Sequence, residues 1–188
     1  MSAPGVKRAT YDDVLAAPEH LIAEVIDGVL MMSPRPAFGH ARASTLIGAT
    51  LTTIFDRRSS DADGRDGWWI LYEPELHLGE DILVPDIAGW RRDRLPVLPR
   101  APFGTLAPDW LCEVLSPGSV RTDRVRKMAI WAREGVRNVW LVDPDTRILE
   151  VYRLVSGLLA LVAAFDGDSP ARAEPFDAVE LDLQSWWL

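Results

Sequence analysis

Hydrophobic and polar positions along the chain alternate, recur and break in a pattern that lays out its elements in order. The run 21–26 (Leu-Ile-Ala-Glu-Val-Ile), then Asp27-Gly28, then 29–33 (Val-Leu-Met-Met-Ser) predicts a hairpin with a two-residue turn, ended by Pro34 and Pro36. Ahead of it, Thr10 followed by Tyr11-Asp12-Asp13 reads as a helix cap with acids in the first turn, opening a short helix that stops before Pro18. From 40 to 55, Ala43, Leu46, Ile47, Thr50, Leu51 and Ile54 recur at helical spacing, so a helix is expected to lay one stripe on a sheet. Residues 56–67, rich in Asp, Ser, Arg and Gly, read as a loop. Two extended runs, 68–78 and 82–90, joined at Gly79-Glu80-Asp81, predict a second hairpin with Asp86 on its second arm.

Four prolines and Gly104 make 91–108 a long loop, the kind that is functional or mobile. Residues 110–115 follow as an apolar strand. The segment 123–134 predicts a helix with a Val125, Met128, Ala129 and Ala132 stripe, ended by Gly135. Residues 138–142 read as a buried strand, the turn 143–146 leads into 148–154, and 158–165 is expected to pair with that strand. The stretch 169–175 looks like a linker, and the tail carries Trp186 and Trp187. The alternation of strands and helices predicts one α/β domain over 1–188, a mixed central sheet flanked by helices, with 110–142 as a parallel crossover.

Two of the apolar runs carry a carboxylate. In Trp110-Leu111-Cys112-Glu113-Val114-Leu115, alternation puts Leu111, Glu113 and Leu115 on one face, which is apolar except for Glu113. An ionised carboxylate is too costly to bury alone, so Glu113 calls for a metal ion, a lysine or an arginine. Asp86, in Ile82-Leu83-Val84-Pro85-Asp86-Ile87-Ala88, repeats the pattern; of three Pro-Asp dipeptides, only this one lies inside an apparent strand. Two such carboxylates can share one cation. Magnesium favours one or two carboxylates completed by waters and a substrate phosphate, and Asp86, Glu113 and a backbone carbonyl at Val114 would supply such a set.

Lys127, at the flank of the helical stripe, would bring the third group that metal-assisted phosphodiester cleavage needs. Each residue also has a plainer explanation: an arginine partner for Glu113, a turn at Pro85 for Asp86, and a solvated position for Lys127. Glu24 is either a further ligand, an orienting partner for Lys127 or a surface carboxylate. His40 opens a helix after a Pro/Gly loop and is either a nucleic-acid contact or a residue without a role.

Composition narrows the field. A net charge of −8 argues against a nonspecific nucleic-acid coat, which would depend on many lysines and arginines. Locally the balance reverses: 120–137 holds six basic residues against two acidic ones, and 91–100 holds four arginines against one aspartate. Arg121 and Arg124 therefore join His40 as candidate nucleic-acid contacts. A single cysteine, Cys112, excludes an intramolecular disulfide and, with three scattered histidines, a Cys/His zinc cluster. No apolar run approaches the roughly 20 residues of a membrane span, and 1–8 lack a signal core, so a cytoplasmic protein with no membrane contact is expected.

The ordered series Glu24…Asp27-Gly28, Met32-Ser33-Pro34, His40, Val84-Pro85-Asp86, Glu113-Val114-Leu115-Ser116-Pro117, Asp123…Lys127, Gly135-Val136 and Trp140-Leu141-Val142-Asp143-Pro144 resembles the Uma-two family, assigned as nucleases of the restriction endonuclease-like fold. The resemblance covers 24–153. It implies a PD-(D/E)xK-type site with Asp86 and Glu113 as ligands of Mg2+ or Mn2+, DNA as the substrate and a homodimer as the assembly. The superfamily's simple pattern places lysine two residues after the glutamate, where this chain has Leu115. The resemblance instead implies a migrated lysine, Lys127, and Trp131 stands where the family often has tyrosine. A nuclease-fold protein that binds without cutting is the alternative.

Overall fold

The computed structural model describes residues 8–56 and 67–187, so 57–66 of the expected loop and most of the N-terminal stretch lie outside it. Helix α1 (Tyr11–Leu15) is capped as its sequence predicts, the Asp13 carboxylate accepting from the Thr10 backbone N–H at 2.8 Å. Strands β1 (Leu21–Ile26) and β2 (Val29–Pro34) pair antiparallel around Asp27-Gly28, both at positive φ, the geometry a two-residue hairpin requires. Helix α2 (Phe38–Phe55) follows.

The second expected hairpin is divided. Strands β3 (Trp68–Tyr72), β4 (Leu76–Leu78), β5 (Asp81–Leu83) and β6 (Ile87–Arg91) form one ribbon whose tip pairs β4 with β5 and whose base pairs β3 with β6. The break falls where Pro74 stands across from Pro85, because proline cannot donate to the ladder and biases the residue before it. Asp86 therefore lies in a bend between β5 and β6, not on a strand arm as the sequence suggested.

The ribbon passes from one sheet to another, so there are two sheets where the pattern predicted one. The tip joins the first hairpin in a four-stranded sheet of order β2-β1-β5-β4. The base joins β7 (Trp110–Val114), β8 (Asn138–Asp143), β9 (Ile148–Val155) and β10 (Leu158–Asp166) in a six-stranded sheet of order β10-β9-β8-β7-β6-β3. Only β7 and β8 run parallel, as the crossover predicted; every other pair in that sheet is antiparallel.

Between β7 and β8 the chain forms a π-helical segment, Thr122–Lys127, continuing into α3 (Met128–Arg133). The expected stripe is wrong in phase. Val125 is 65% exposed, while Asp123, Lys127, Ile130 and Trp131 face inward. The π segment bonds the Met128 N–H back to the Asp123 carbonyl, one residue further than an α-helix would, and this widened turn resets which side chains share a face.

Trp110, Cys112 and Val114 face α2 and the C-terminal segment, while Leu111 and Leu115 face α3, as alternation required. The stretch read as a linker, 169–175, reaches the core: its Ala171 and Ala173, with Phe176 just after it, are buried with Trp110, Trp140 and Trp186. Gly89, midway along β6, sits under Trp68, Ile70 and Trp110, and a Cβ there would come within 3.1–3.2 Å of all three. Gly89→Ala is therefore expected to cost about 1–3 kcal/mol by overpacking, read as a lower urea midpoint with an unchanged slope.

Candidate active site

The two sheets and the crossover helix converge on one cleft of about 430 Å³. β1 delivers Glu24, the ribbon's bend Asp86, β7 Glu113, the first turn of α2 His40, and the π segment both Asp123 and Lys127. Four of these are nearly inaccessible: Glu24 at 6%, Glu113 at 3%, Asp123 at 3% and Lys127 at 5% exposure.

Lys127 is the centre of the cluster. Its Nζ lies 3.0 Å from Glu24 Oε1, 3.5 Å from Glu113 Oε1 and 3.5 Å from Asp123 Oδ1. Glu24 Oε1 also accepts the Val84 N–H at 2.8 Å, fixing it against the strand that leads to the bend. Asp86 is held from both sides: its Oδ2 accepts the Val114 N–H at 2.7 Å, and its Oδ1 lies 3.3 Å from His40 Nε2. Ser44, one turn along α2, donates to the His40 carbonyl at 3.0 Å. Arg126 donates to the Ile26 carbonyl at 2.7 Å and pairs with Asp27, tying the π segment to the β1–β2 turn.

The electrostatics are unbalanced. Four carboxylates meet one lysine and one histidine, and three of the acids, Glu24, Glu113 and Asp123, are buried where water screens them little. Burial works against the charged form of Lys127, yet Glu113, Glu24 and Asp123 outweigh it and hold the ammonium well above its ordinary pKa. Burial pushes the Glu113 carboxyl well above the usual carboxylate range despite the lysine, and it raises Asp123 as well. His40 is also raised: its burial is outweighed by Asp86, with the Val114 backbone helping to hold the proton.

One atom stands out. Glu113 Oε1 is buried and makes no hydrogen bond, its lysine contact being too long to count as one. A buried acceptor left unsatisfied beside surplus negative charge suits a hard cation. Among the described residues no three His, Cys, Asp or Glu side chains form a ready cage, but magnesium needs only one or two carboxylates. Asp86, Glu113 and the Val114 carbonyl offer an all-oxygen donor set of that kind, and the residues fit such an ion.

The structure thus gathers Glu24, Asp86, Glu113, Val114, Lys127 and His40 along one cleft. Arg121 is exposed, and Arg124 pairs with Glu150 of β9 at 2.6 Å, away from the cleft lining. Asp123 stood in the motif series with Lys127 but was given no role in the site, although its place four residues before the lysine was the available signal.

The family model described as "Putative restriction endonuclease" matches residues 9–184. The chain belongs to the Uma2 (Uma-two) family. A crystal structure described as "a putative nuclease belonging to DUF820", from Anabaena variabilis, is similar to this Uma2 protein at a TM-score of 0.74 and 25% identity, covering 95% of this chain and 98% of that one. No curated protein matches it. The restriction endonuclease-like fold and the family read from the motif series are both borne out, and they support a nuclease. No described helix is long and apolar enough to cross a membrane.

Proposed function

We propose that this Uma2 protein is a metal-dependent endonuclease that hydrolyses phosphodiester bonds in DNA. The observation that carries the reading is the buried Glu113 carboxylate oxygen that makes no hydrogen bond, its ion-pair contact with Lys127 being long, among the other acids that line the cleft. Asp86, Glu113 and the Val114 carbonyl would hold Mg2+ or Mn2+. When bound, such an ion supplies Lewis acidity toward the phosphate and makes water a better nucleophile.

The chain's own groups do the rest. Lys127 keeps its charge in the buried site and offers it to the negative charge that develops on phosphate, or orients the attacking water. Glu24 is a positioning residue, holding the lysine beside Glu113 by its 3.0 Å contact. Asp123 acts on the same ammonium from its own helix. His40 fixes the Asp86 carboxylate and faces the cleft where a phosphate would enter, with Arg121 on the exposed side of the crossover helix.

The test is nicking of supercoiled plasmid with magnesium or manganese, wild type beside Asp86→Ala, with folding checked by circular dichroism. Wild type is expected to nick and the folded variant to leave plasmid intact. Equal nicking by both would remove Asp86 from the site.

A further inference from the structure

At the same end of the six-stranded sheet, a second cleft of about 520 Å³ opens beside β3. β3 lies two strands from β7, which at about 4.8 Å per strand puts it roughly 10 Å from the strand of Glu113. The two clefts share no lining residue but are linked through the ribbon's bend. Tyr72 pairs with Ile87, the residue after Asp86, and the Glu73 N–H donates to the Asp86 carbonyl at 3.0 Å. Arg35, which lines the first cleft, reaches to 3.8 Å of Glu73.

The second cleft is mostly apolar and aromatic, walled by Leu71, Tyr72, Trp90, Val97, Phe103 and Leu106, and its acidic lining residue, Glu75, is taken up by His77 at 2.7 Å. It is also preformed. The indole N–H of Trp90 donates to the Leu106 carbonyl and that of Trp69 to the Leu95 carbonyl, each at 2.9 Å. Phe103 stacks on His77 with ring centres 3.8 Å apart, and Gly104 bridges to Leu76. Yet the lip is left uncovered, with Tyr72 at 52% and Val97 at 76% exposure. Its charge is equally specific. Arg91, Arg92 and Arg94 are each taken up by an aspartate, whereas Arg100, exposed between the lining residues Pro99 and Ala101, has no ion pair among the described residues.

We propose that this cleft receives an unpaired nucleobase of the strand being cut, with Arg100 on its phosphate. The inference rests on the nuclease reading and narrows its substrate class to single strands, flaps, loops or duplex opened locally. Bases stacked in a duplex cannot enter such a cleft. An unpaired base presents its flat face to aromatic and apolar walls without regard to sequence, and the volume lies within the range of small-molecule pockets. Stacking also supplies affinity that a chain of net charge −8 does not get from phosphate attraction alone.

The test uses an oligodeoxynucleotide carrying 2-aminopurine, single-stranded or annealed, with calcium replacing magnesium so that binding is read without cutting. Single strand is expected to bind more tightly than duplex and to change its 2-aminopurine emission. Val97→Asp and Arg100→Glu, both at exposed positions, are each expected to weaken single-strand binding at least about fivefold, and Val97→Asp to abolish the emission change. If wild type binds oligonucleotides but neither variant alters single-strand affinity, the pocket assignment falls while the nuclease reading stands. If wild type binds neither form and leaves plasmid intact, the nuclease reading falls first and the pocket with it. A change in sedimentation on Val97→Asp would make the cleft a contact between copies of this chain and overturn the proposal.

Discussion

Lys127→Met, measured in metal-free buffer at mildly alkaline pH, is expected to lose about 3–5 kcal/mol of unfolding free energy, the usual result of removing one partner from a buried ion pair. The lysine is the one buried cation among Glu24, Glu113 and Asp123, and methionine fills similar space without charge. The loss should depend on pH, and the sign is fixed. Burial already raises Glu113 and Asp123 above ordinary carboxylates while Lys127 pulls both down, so removing the lysine raises them further. The native variant then holds protons that the unfolded chain gives up at lower pH. The contribution of these two groups to its stability is therefore fullest in acid, below the ordinary carboxylate range, and is lost as pH rises through the raised values. Urea midpoints for wild type and variant should converge in mild acid and separate in mild alkali. A gap independent of pH would mean that the variant suffers from packing alone. Adding Glu113→Gln should restore part of the loss, because it removes one of the acids left without a cation.

The parts of this fold that were legible in the sequence are those decided locally. Asp27-Gly28 sets a hairpin by its own φ preferences, the Thr10 cap recurs with its Asp13 partner, and alternation sorts the two faces of β7 without knowledge of the neighbours. What was misread depends on contacts between distant segments. Whether 68–90 is one hairpin or a ribbon shared by two sheets is decided by where each half finds partners, and the tip finds β1. The helix phase failed because a π turn leaves no mark in hydrophobic periodicity, and because the buried face carries Asp123 and Lys127 where a core pattern expects apolar residues. The misphased positions thus coincide with the candidate chemistry. The stretch 169–175 looked like a linker because small residues and proline carry no periodic signal, although Ala171 and Ala173 are buried in the core.

Glu113→Gln should separate function from stability most sharply. With Asp86 and the Val114 carbonyl, Glu113 is the proposed seat of the metal, so magnesium or manganese should raise the melting temperature of wild type, by the equivalent of about 2.7 kcal/mol at a hundred times the dissociation constant. The amide variant keeps the shape but offers the ion no charge, and it should lose both that shift and plasmid nicking. Without metal the order reverses. Burial holds the Glu113 carboxyl well above its ordinary range, so ionisation at neutral pH costs the native state more than the unfolded chain, and a neutral amide removes that cost. The metal-free variant should melt above metal-free wild type. A group that destabilises the empty fold and is stabilised by its ligand is what a site retained for function predicts. A variant that keeps the full metal shift would move the ion away from Glu113. One that melts below wild type would show that attraction to Lys127 outweighs burial, making the acid a structural partner of the lysine.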